Sequence, residues 1–201
     1  FRDYYGVVWN KTQDRTLGEV DDPPIKTPSL NGFTFPDPSA VPVYDFVRRD
    51  AARYPDRFHM ISIGFALFER AWSLVGMENL LMYFMTEPGF VHELLDRITE
   101  YNIAVIRAAA PLGVDCVHLG DDWGAQSGPL IAPEMWREFV KPRYVRTCAA
   151  AKEAGLLVSQ HSCGNVVSFL PDMVEAGVDV FDPFQPEAMD IWGLRREYRG
   201  R

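Results

Sequence analysis

Gly155-Leu-Leu-Val-Ser-Gln-His-Ser-Cys-Gly-Asn-Val-Val-Ser-Phe-Leu-Pro-Asp-Met-Val-Glu-Ala-Gly-Val-Asp-Val-Phe181 decides the architecture. Leu156–His161 is short and apolar and reads as a strand. Asn165–Ala176 reads as a helix, closed by Gly177, a residue suited to the left-handed turn that follows a helix. Val178–Phe181 reads as the next strand. A strand, a helix and a second strand in such close succession imply parallel pairing through a right-handed crossover.

The same rhythm extends in both directions. Upstream, Asp115–Gly120 reads as a strand, and Pro133 opens a helix running to Ala154, bent at Pro142 and capped by Gly155. Earlier still, His59–Gly64 reads as a strand, with helices over Leu67–Val75 and Met77–Met85 separated at Gly76. Pro88 sits in the first turn of a long helix through Ala110. Val91, Leu94, Leu95, Ile98, Tyr101, Ile103 and Val105 give that helix its apolar face, and Pro111 and Gly113 end it. Val43–Tyr54 reads as a helix before the first strand, and Pro186–Tyr198 as one after the last. These elements make four strand–helix units.

Residues 1–45 differ from the rest. Pro23, Pro24, Pro28, Pro36, Pro38 and Pro42 argue against regular helix there, and Asn31-Gly32 reads as a turn. Tyr4, Tyr5, Trp9, Phe33 and Phe35 argue against plain disorder. The expected organisation is an irregular Pro-rich segment over 1–45, lying on an α/β domain over 46–201. A closed (β/α)₈ barrel typically needs about 250 residues. The α/β pattern therefore fits a partial TIM-type (β/α)₈ barrel or a small open sheet, with a doubly wound domain as the alternative. No G-x-G-x-x-G or Walker motif supports a nucleotide-binding version. The chain opens on Phe1 rather than Met and ends where another strand is expected, so it reads as an internal piece.

Composition narrows the function. The 201 residues are 47% hydrophobic and 24% charged, which is ordinary for a globular domain. Acidic residues outnumber basic ones 28 to 20, for a net charge of −8, without a basic block. That balance disfavours nucleic acid and anionic membrane surfaces. No apolar run reaches the roughly eighteen residues of a membrane span, and no signal peptide is visible. Cys116, Cys148 and Cys163 are an odd set without disulfide spacing, which suits a reducing cytoplasm.

Sites in such folds gather at the C-terminal ends of strands. Three segments lie there. In the first, His161 and Cys163 stand two residues apart, so both side chains share a face if the strand continues. Imidazole and thiolate suit zinc, and metal binding releases the thiol proton. A bare H-x-C is also what a buried histidine beside a core cysteine looks like. Gly164 and Asn165 would open a helix whose backbone N–H groups can hold an anion. In the second segment, Asp121 and Asp122 follow a strand and are candidates for acid–base work or for binding polar substrate groups. Trp123, between them and Gly124, argues against a bland exposed loop, although solvated turn residues remain the alternative. In the third, Glu69 could reach a metal or substrate, or simply pair with Arg70 on a helix surface. His118 and His59 read as core histidines, His92 as exposed, and Cys116 and Cys148 as packing residues.

Taken together, these segments resemble the uroporphyrinogen decarboxylase superfamily. The resemblance runs from about Asp56 to the C-terminus. It rests on Ser159-Gln-His-Ser-Cys-Gly-Asn165 followed by Leu170-Pro-Asp-Met-Val-Glu-Ala-Gly-Val-Asp179, and on Gly120-Asp-Asp-Trp-Gly124, Ile131-Ala-Pro-Glu-Met-Trp136 and Phe139-Val-Lys-Pro142. One branch of that superfamily removes acetate carboxyls from uroporphyrinogen without a cofactor. The other comprises zinc methyltransferases that move a methyl group from a corrinoid protein to a thiol or related acceptor. The methyltransferase branch holds zinc with an H-x-C pair and a later cysteine. His161 and Cys163 match the pair, but no cysteine follows Cys163, which leaves the third ligand unassigned.

The resemblance implies an enzyme with zinc on His161 and Cys163, and with Asp121 or Asp122 orienting the substrate or a histidine behind the metal. Glu69, Trp123 and Asn165 would line the cofactor side of the site. The implied partners are a small-molecule substrate and a corrinoid protein, and the chain could form homo-oligomers. Two readings compete. One is a metal-free decarboxylase using Asp121, Asp122 and backbone groups around a macrocycle. The other is a binding module or inactive truncated product.

Overall fold

The computed structural model describes residues 1–12 and 18–200. Its centre is a four-stranded sheet of β3 (Met60–Gly64), β4 (Cys116–Gly120), β7 (Leu157–His161) and β8 (Val180–Asp182), every neighbouring pair parallel. The strands follow one another in space in chain order. A doubly wound sheet would reverse that order at a switch point. The sequential order is that of an arc of a (β/α)₈ barrel, with four strands of the eight.

The two faces of the sheet confirm this. Ile61, Val117, Leu119, Val158 and Gln160 are buried on one face. Above them lie α2 (Phe68–Val75), α3 (Met77–Thr86), α4 (Pro88–Ala109), α6 (Lys141–Glu153) and α7 (Leu170–Glu175). On the other face Met60, Leu157 and Val180 are exposed, and His118, His161 and Asp182 are half-buried. Helices thus cover one side only, as they do outside a barrel wall. Alternation along each strand sets both faces at once.

Local sequence explains the helices. In α4, buried Val91, Leu94, Leu95, Ile98, Tyr101, Val105 and Ile106 form a stripe at helical spacing. Ile106 takes the buried place expected of Ile103, which is half-buried. The helix opened by Pro133 starts as α5 (Pro133–Met135), widens into a π segment over Trp136–Val140 and continues as α6. Pro142 has no N–H to return to the carbonyl four residues earlier, and the wider turn just before it absorbs the mismatch. At the place where a bend at Pro142 was expected, the helix carries a π segment just upstream of the proline.

The described residues before 45 pack on this body. β1 (Val8–Asn10) and β2 (Glu19–Asp22) pair antiparallel, and Tyr5, Val7, Trp9 and Ile25 join the common core. Asp3 anchors the turn by accepting the backbone N–H groups of Tyr5 and Val7 and the Trp9 indole N–H. Its carboxylate also meets the buried Arg70 at 3.1 Å. The helix α1 (Val43–Arg53) begins just before the expected boundary.

Two helical expectations fail in detail. Asn165 and Val166 are not helical: a 3₁₀ turn over Val167–Phe169 precedes α7. The last helix, α8, spans only Ile191–Glu197, capped by the side chain of Asp190 on Gly193 N–H. A two-rung hairpin of β5 (Gly124–Ala125) and β6 (Gly128–Pro129) follows β4 and had no clear sequence signal. Among the described residues no helix is long and apolar enough to cross a membrane.

Candidate functional site

The ends of β4, β7 and β8 lie side by side, with Gly120 opposite His161 and His161 opposite Asp182. The loops after β4 and β7 then interlock. Asp121 N–H donates to the His161 carbonyl at 3.1 Å and Asn165 N–H to the Ala125 carbonyl at 2.8 Å. Ser162 is fully buried, and its Oγ accepts the Trp123 N–H at 2.9 Å.

Glycine permits that crossing. A Cβ on Gly164, which sits at φ +78°, would run into the Gly124 and Ala125 backbone. One on Gly124 would come within 2.8 Å of the Cys163 carbonyl. Only hydrogen at both places lets the two loops touch.

Three donors converge on the exposed side of this junction. His161 Nε2 lies 3.5 Å from Cys163 Sγ and 3.6 Å from Asp122 Oδ1. Zinc bonds of about 2.0–2.3 Å at tetrahedral angles put donor pairs roughly 3.4–3.6 Å apart. Asp122, His161 and Cys163 together form a group able to hold a metal ion. The loop backbone sets the carboxylate, because Asp122 Oδ1 accepts the Cys163 N–H at 2.7 Å. Behind the imidazole, His161 Nδ1 is 2.9 Å from Asp182 Oδ2.

The electrostatics agree with a cation site. Neither Asp122 nor Asp182 pairs with Lys or Arg among the described residues; their ion-pair partners are His161 and His118. Burial, followed by the charges of Asp121 and Asp122, pushes the Glu69 carboxyl up to about 8. Burial, then the charge of Asp122, also pushes the Cys163 thiol above its usual value. Negative groups are crowded together here, which an added cation would relieve.

The expected residues divide between this site and the frame beneath it. Asp122, His161 and Cys163 meet. Glu69 stands at the first turn of α2 on the site side, lining a cavity of about 260 Å³ with Trp72, Met77, Asp122, Gly124 and Leu130. It is therefore not the surface partner of Arg70, which is buried against Asp3. Asp121 is only 1% exposed. It accepts the N–H groups of Leu67, Phe68 and Glu69 at 2.8–3.1 Å and the Trp123 indole N–H at 2.6 Å. Both carboxylate oxygens are taken up by the start of α2 and the Trp123 indole, which corrects the expectation that Asp121 works on substrate. Burial pushes its carboxyl up to about 6 against the pull of those donors.

Trp123 is likewise a core residue, packed on Trp136, Tyr144 and Phe169 rather than open to a cofactor. Asn165 caps its own turn, its Oδ1 accepting the Val167 N–H at 3.3 Å. The backbone N–H groups of Gly164 and Asn165 are engaged by Gln185 and Ala125, so no anion seat remains there. His92 is half-buried rather than exposed, stacked on Phe139.

Two participants were not expected at the site: Asp182 was not singled out, and His118, read as a core histidine, is half-buried on the site face. His118 faces the site side of β4, with its ring centroid 5.9 Å from that of His161. Asp182 ends β8 beside it. The strand-end rule that selected His161 applies equally to Asp182, and two-residue alternation from Gly120 selects the face of His118.

Comparison with known proteins identifies the family. The uroporphyrinogen decarboxylase (URO-D) family matches residues 8–185, a range that takes in Glu69, Asp121, Asp122, His161, Cys163 and Asp182. The chain is 29% identical over 187 residues to the methylated-thiol–coenzyme M methyltransferase of Methanosarcina mazei, covering 88% of this chain and 48% of that one. It is 35% identical over 101 residues to the uroporphyrinogen decarboxylase of Thermus thermophilus, covering 50% of this chain and 27% of that one. A solved methyltransferase structure from Methanosarcina mazei shares the fold, with a TM-score of 0.73 at 21% identity over 88% of this chain and 52% of that one. The chain thus spans about half the length of the methyltransferases it matches.

Proposed function

We propose that this chain, which belongs to the uroporphyrinogen decarboxylase family, carries the metal site of a zinc-dependent methyltransferase that moves a methyl group from a corrinoid on a partner protein to a small thiol or related acceptor. The observation that carries this reading is His161 Nε2 standing 3.5 Å from Cys163 Sγ and 3.6 Å from Asp122 Oδ1, with the three donors within 4.8 Å of one another. The similarity to a methyltransferase over 88% of the chain supports it.

His161, Cys163 and Asp122 would hold the ion, Asp122 being the third donor that the geometry brings to the pair. Three protein donors leave one position of a four-coordinate ion for the acceptor, the pattern of catalytic rather than structural zinc. Bound there, zinc would lower the pKa of an acceptor thiol and keep it nucleophilic near neutral pH. The residues of the chain do the positioning. Asp122 is set by the Cys163 N–H, and His161 is set by Asp182. Trp72, Met77 and Leu130 give the adjoining cavity an apolar wall for the acceptor, with Glu69 as a polar group beside the donors. Asp121 holds Glu69 at that wall through its backbone N–H.

Metal content of the purified chain, with His161→Ala, Cys163→Ala and Asp122→Ala beside it, tests the proposal. One zinc per chain, lost in the first two variants and weakened in the third, is expected. Absence of zinc from the unaltered chain after equilibration with excess zinc would remove the metal reading and bring metal-free decarboxylation forward.

A further inference from the structure

We propose that Asp182 is the positioning residue for His161, holding the ring with its proton on Nδ1 and its Nε2 lone pair turned toward Cys163 and Asp122. The inference rests on the metal reading for its purpose, although the tautomer itself is a property of the metal-free chain.

The two edges of the imidazole have different neighbours. Nδ1 lies 2.9 Å from Asp182 Oδ2, a hydrogen-bond separation. An ionised carboxylate only accepts, so Nδ1 must donate. Nε2 meets Cys163 Sγ at 3.5 Å, a hydrogen-bond distance for sulfur at which the thiol donates to a ring lone pair, and stands 3.6 Å from Asp122 Oδ1. That oxygen already accepts the Cys163 N–H. A neutral ring with its proton on Nδ1 presents an Nε2 lone pair at the place where the three donors meet.

Asp182 is held in turn. Its backbone is in register with His161 through the β7–β8 pairing, and its carbonyl accepts the Ser162 N–H at 3.0 Å. Ser159 Oγ donates to Asp182 Oδ1 at 3.5 Å, and His118 Nδ1 stands 3.1 Å from the same hydroxyl and 3.8 Å from Asp182 Oδ1. His118, Ser159, Asp182 and His161 therefore form one polar string across the site face of three adjacent strands.

His118, His161 and Asp182 are also close enough to hold an ion among themselves. That use excludes the one proposed here, because an Nδ1 bound to metal cannot donate to Asp182. The 2.9 Å separation favours the hydrogen bond, since two donors on one tetrahedral zinc stand about 3.4 Å apart.

The test uses the full chain with ¹⁵N-labelled histidine, metal-free, at a pH where His161 is neutral. Its nitrogen shifts should report the Nδ1–H tautomer. Asp182→Ala should move the ring toward Nε2–H, whereas Asp182→Asn, whose amide oxygen still accepts, should keep it. An Nε2–H ring in the unaltered chain, or one indifferent to Asp182→Ala, overturns the proposal. Cobalt(II) titration adds the second readout. Asp182→Ala should weaken binding about 10–100-fold while keeping the thiolate-to-cobalt absorption, and Cys163→Ser should abolish that band. Binding that survives Cys163→Ser undiminished but is lost in His118→Ala places the ion on the other face and overturns the proposal. If no cobalt binds at all while the tautomer responds as described, the metal reading fails and the assignment of Asp182 stands.

Discussion

Asp121 Oδ1 accepts the backbone N–H of Glu69 at 2.8 Å, so a side chain from the end of β4 caps the first turn of α2. The same carboxylate takes the Leu67, Phe68 and Trp123 indole N–H groups. Helix starts leave N–H groups without intrahelical partners, and here one buried carboxylate satisfies three of them. Asp121→Ala should therefore lower unfolding stability by about 3–5 kcal/mol, because buried donors are left unpaired. Asp121→Asn, which keeps one acceptor oxygen, should lose less. Urea unfolding would measure both. A loss under about 0.5 kcal/mol in Asp121→Ala would return this residue to the list of candidates for substrate chemistry.

Gly164→Ala tests the loop junction. The added carbon would meet the backbone of Gly124 and Ala125, and φ is +78°. Backbone cannot step aside as a side-chain tip can. The expected result is a loss of about 2–4 kcal/mol, together with weaker metal binding, because Cys163 is the adjacent residue. Gly89→Ala has nothing within 4 Å of its new carbon and serves as the control, expected to be neutral or stabilising. Equal effects of the two substitutions would argue that the loops have freedom to separate.

The strand–helix alternation was legible in the sequence, because period-two and period-3.6 patterns are local. All four sheet strands emerged from such runs within two residues of their observed starts. The choice between an arc of a barrel and a doubly wound sheet was not legible, because it depends on which strands become neighbours. The site shows the same division. His161, Cys163 and Asp122 lie at strand ends, where position alone marks them. Which of Asp121 and Asp122 faces the site was hidden, because adjacent carboxylates differ only in what α2 brings to one of them. Asp182 was overlooked because its partner, His161, is twenty-one residues away and meets it only through the β7–β8 pairing.

Acid should weaken the packing of α4 against α6 in a way that can be isolated. Arg143 donates to both oxygens of Asp96, at 2.9 and 2.7 Å. The Arg143 hydrogen bonds, against some burial, hold the Asp96 carboxyl below its ordinary value, with Arg146 adding to the effect. A folded value below the unfolded one, about 3.9, means that the unfolded chain binds more protons in that window. The contribution is complete above about pH 5 and disappears as pH falls through the folded value. Glu69 and Asp121, raised by burial, act in the opposite sense, so the comparison must be with Arg143→Met, which alters Asp96 alone of these groups. Arg143→Met should cost about 1–2 kcal/mol at pH 6 and progressively less toward pH 3. A cost independent of pH across that range would show that Arg143 acts through packing rather than charge.

Trp123 and Asp122 are adjacent, yet their substitutions should have opposite signatures. Trp123 is 1% exposed, with ring centroids 4.9 Å from Trp136 and 5.1 Å from Tyr144, and its indole N–H is one of the donors to Asp121. Trp123→Phe removes that donor and leaves a small void, at a cost of about 1–3 kcal/mol. Metal affinity should stay within about threefold, since no donor atom moves from the site. Asp122 is half-buried and makes its contacts at the surface of the junction. Asp122→Ala should change stability by about 1 kcal/mol or less and weaken cobalt(II) binding at least tenfold. Urea unfolding and cobalt titration on the same two variants give a crossed pattern if Trp123 belongs to the core and Asp122 to the site. A Trp123→Phe variant that keeps its stability but loses cobalt would reverse the assignment and place the indole at the metal.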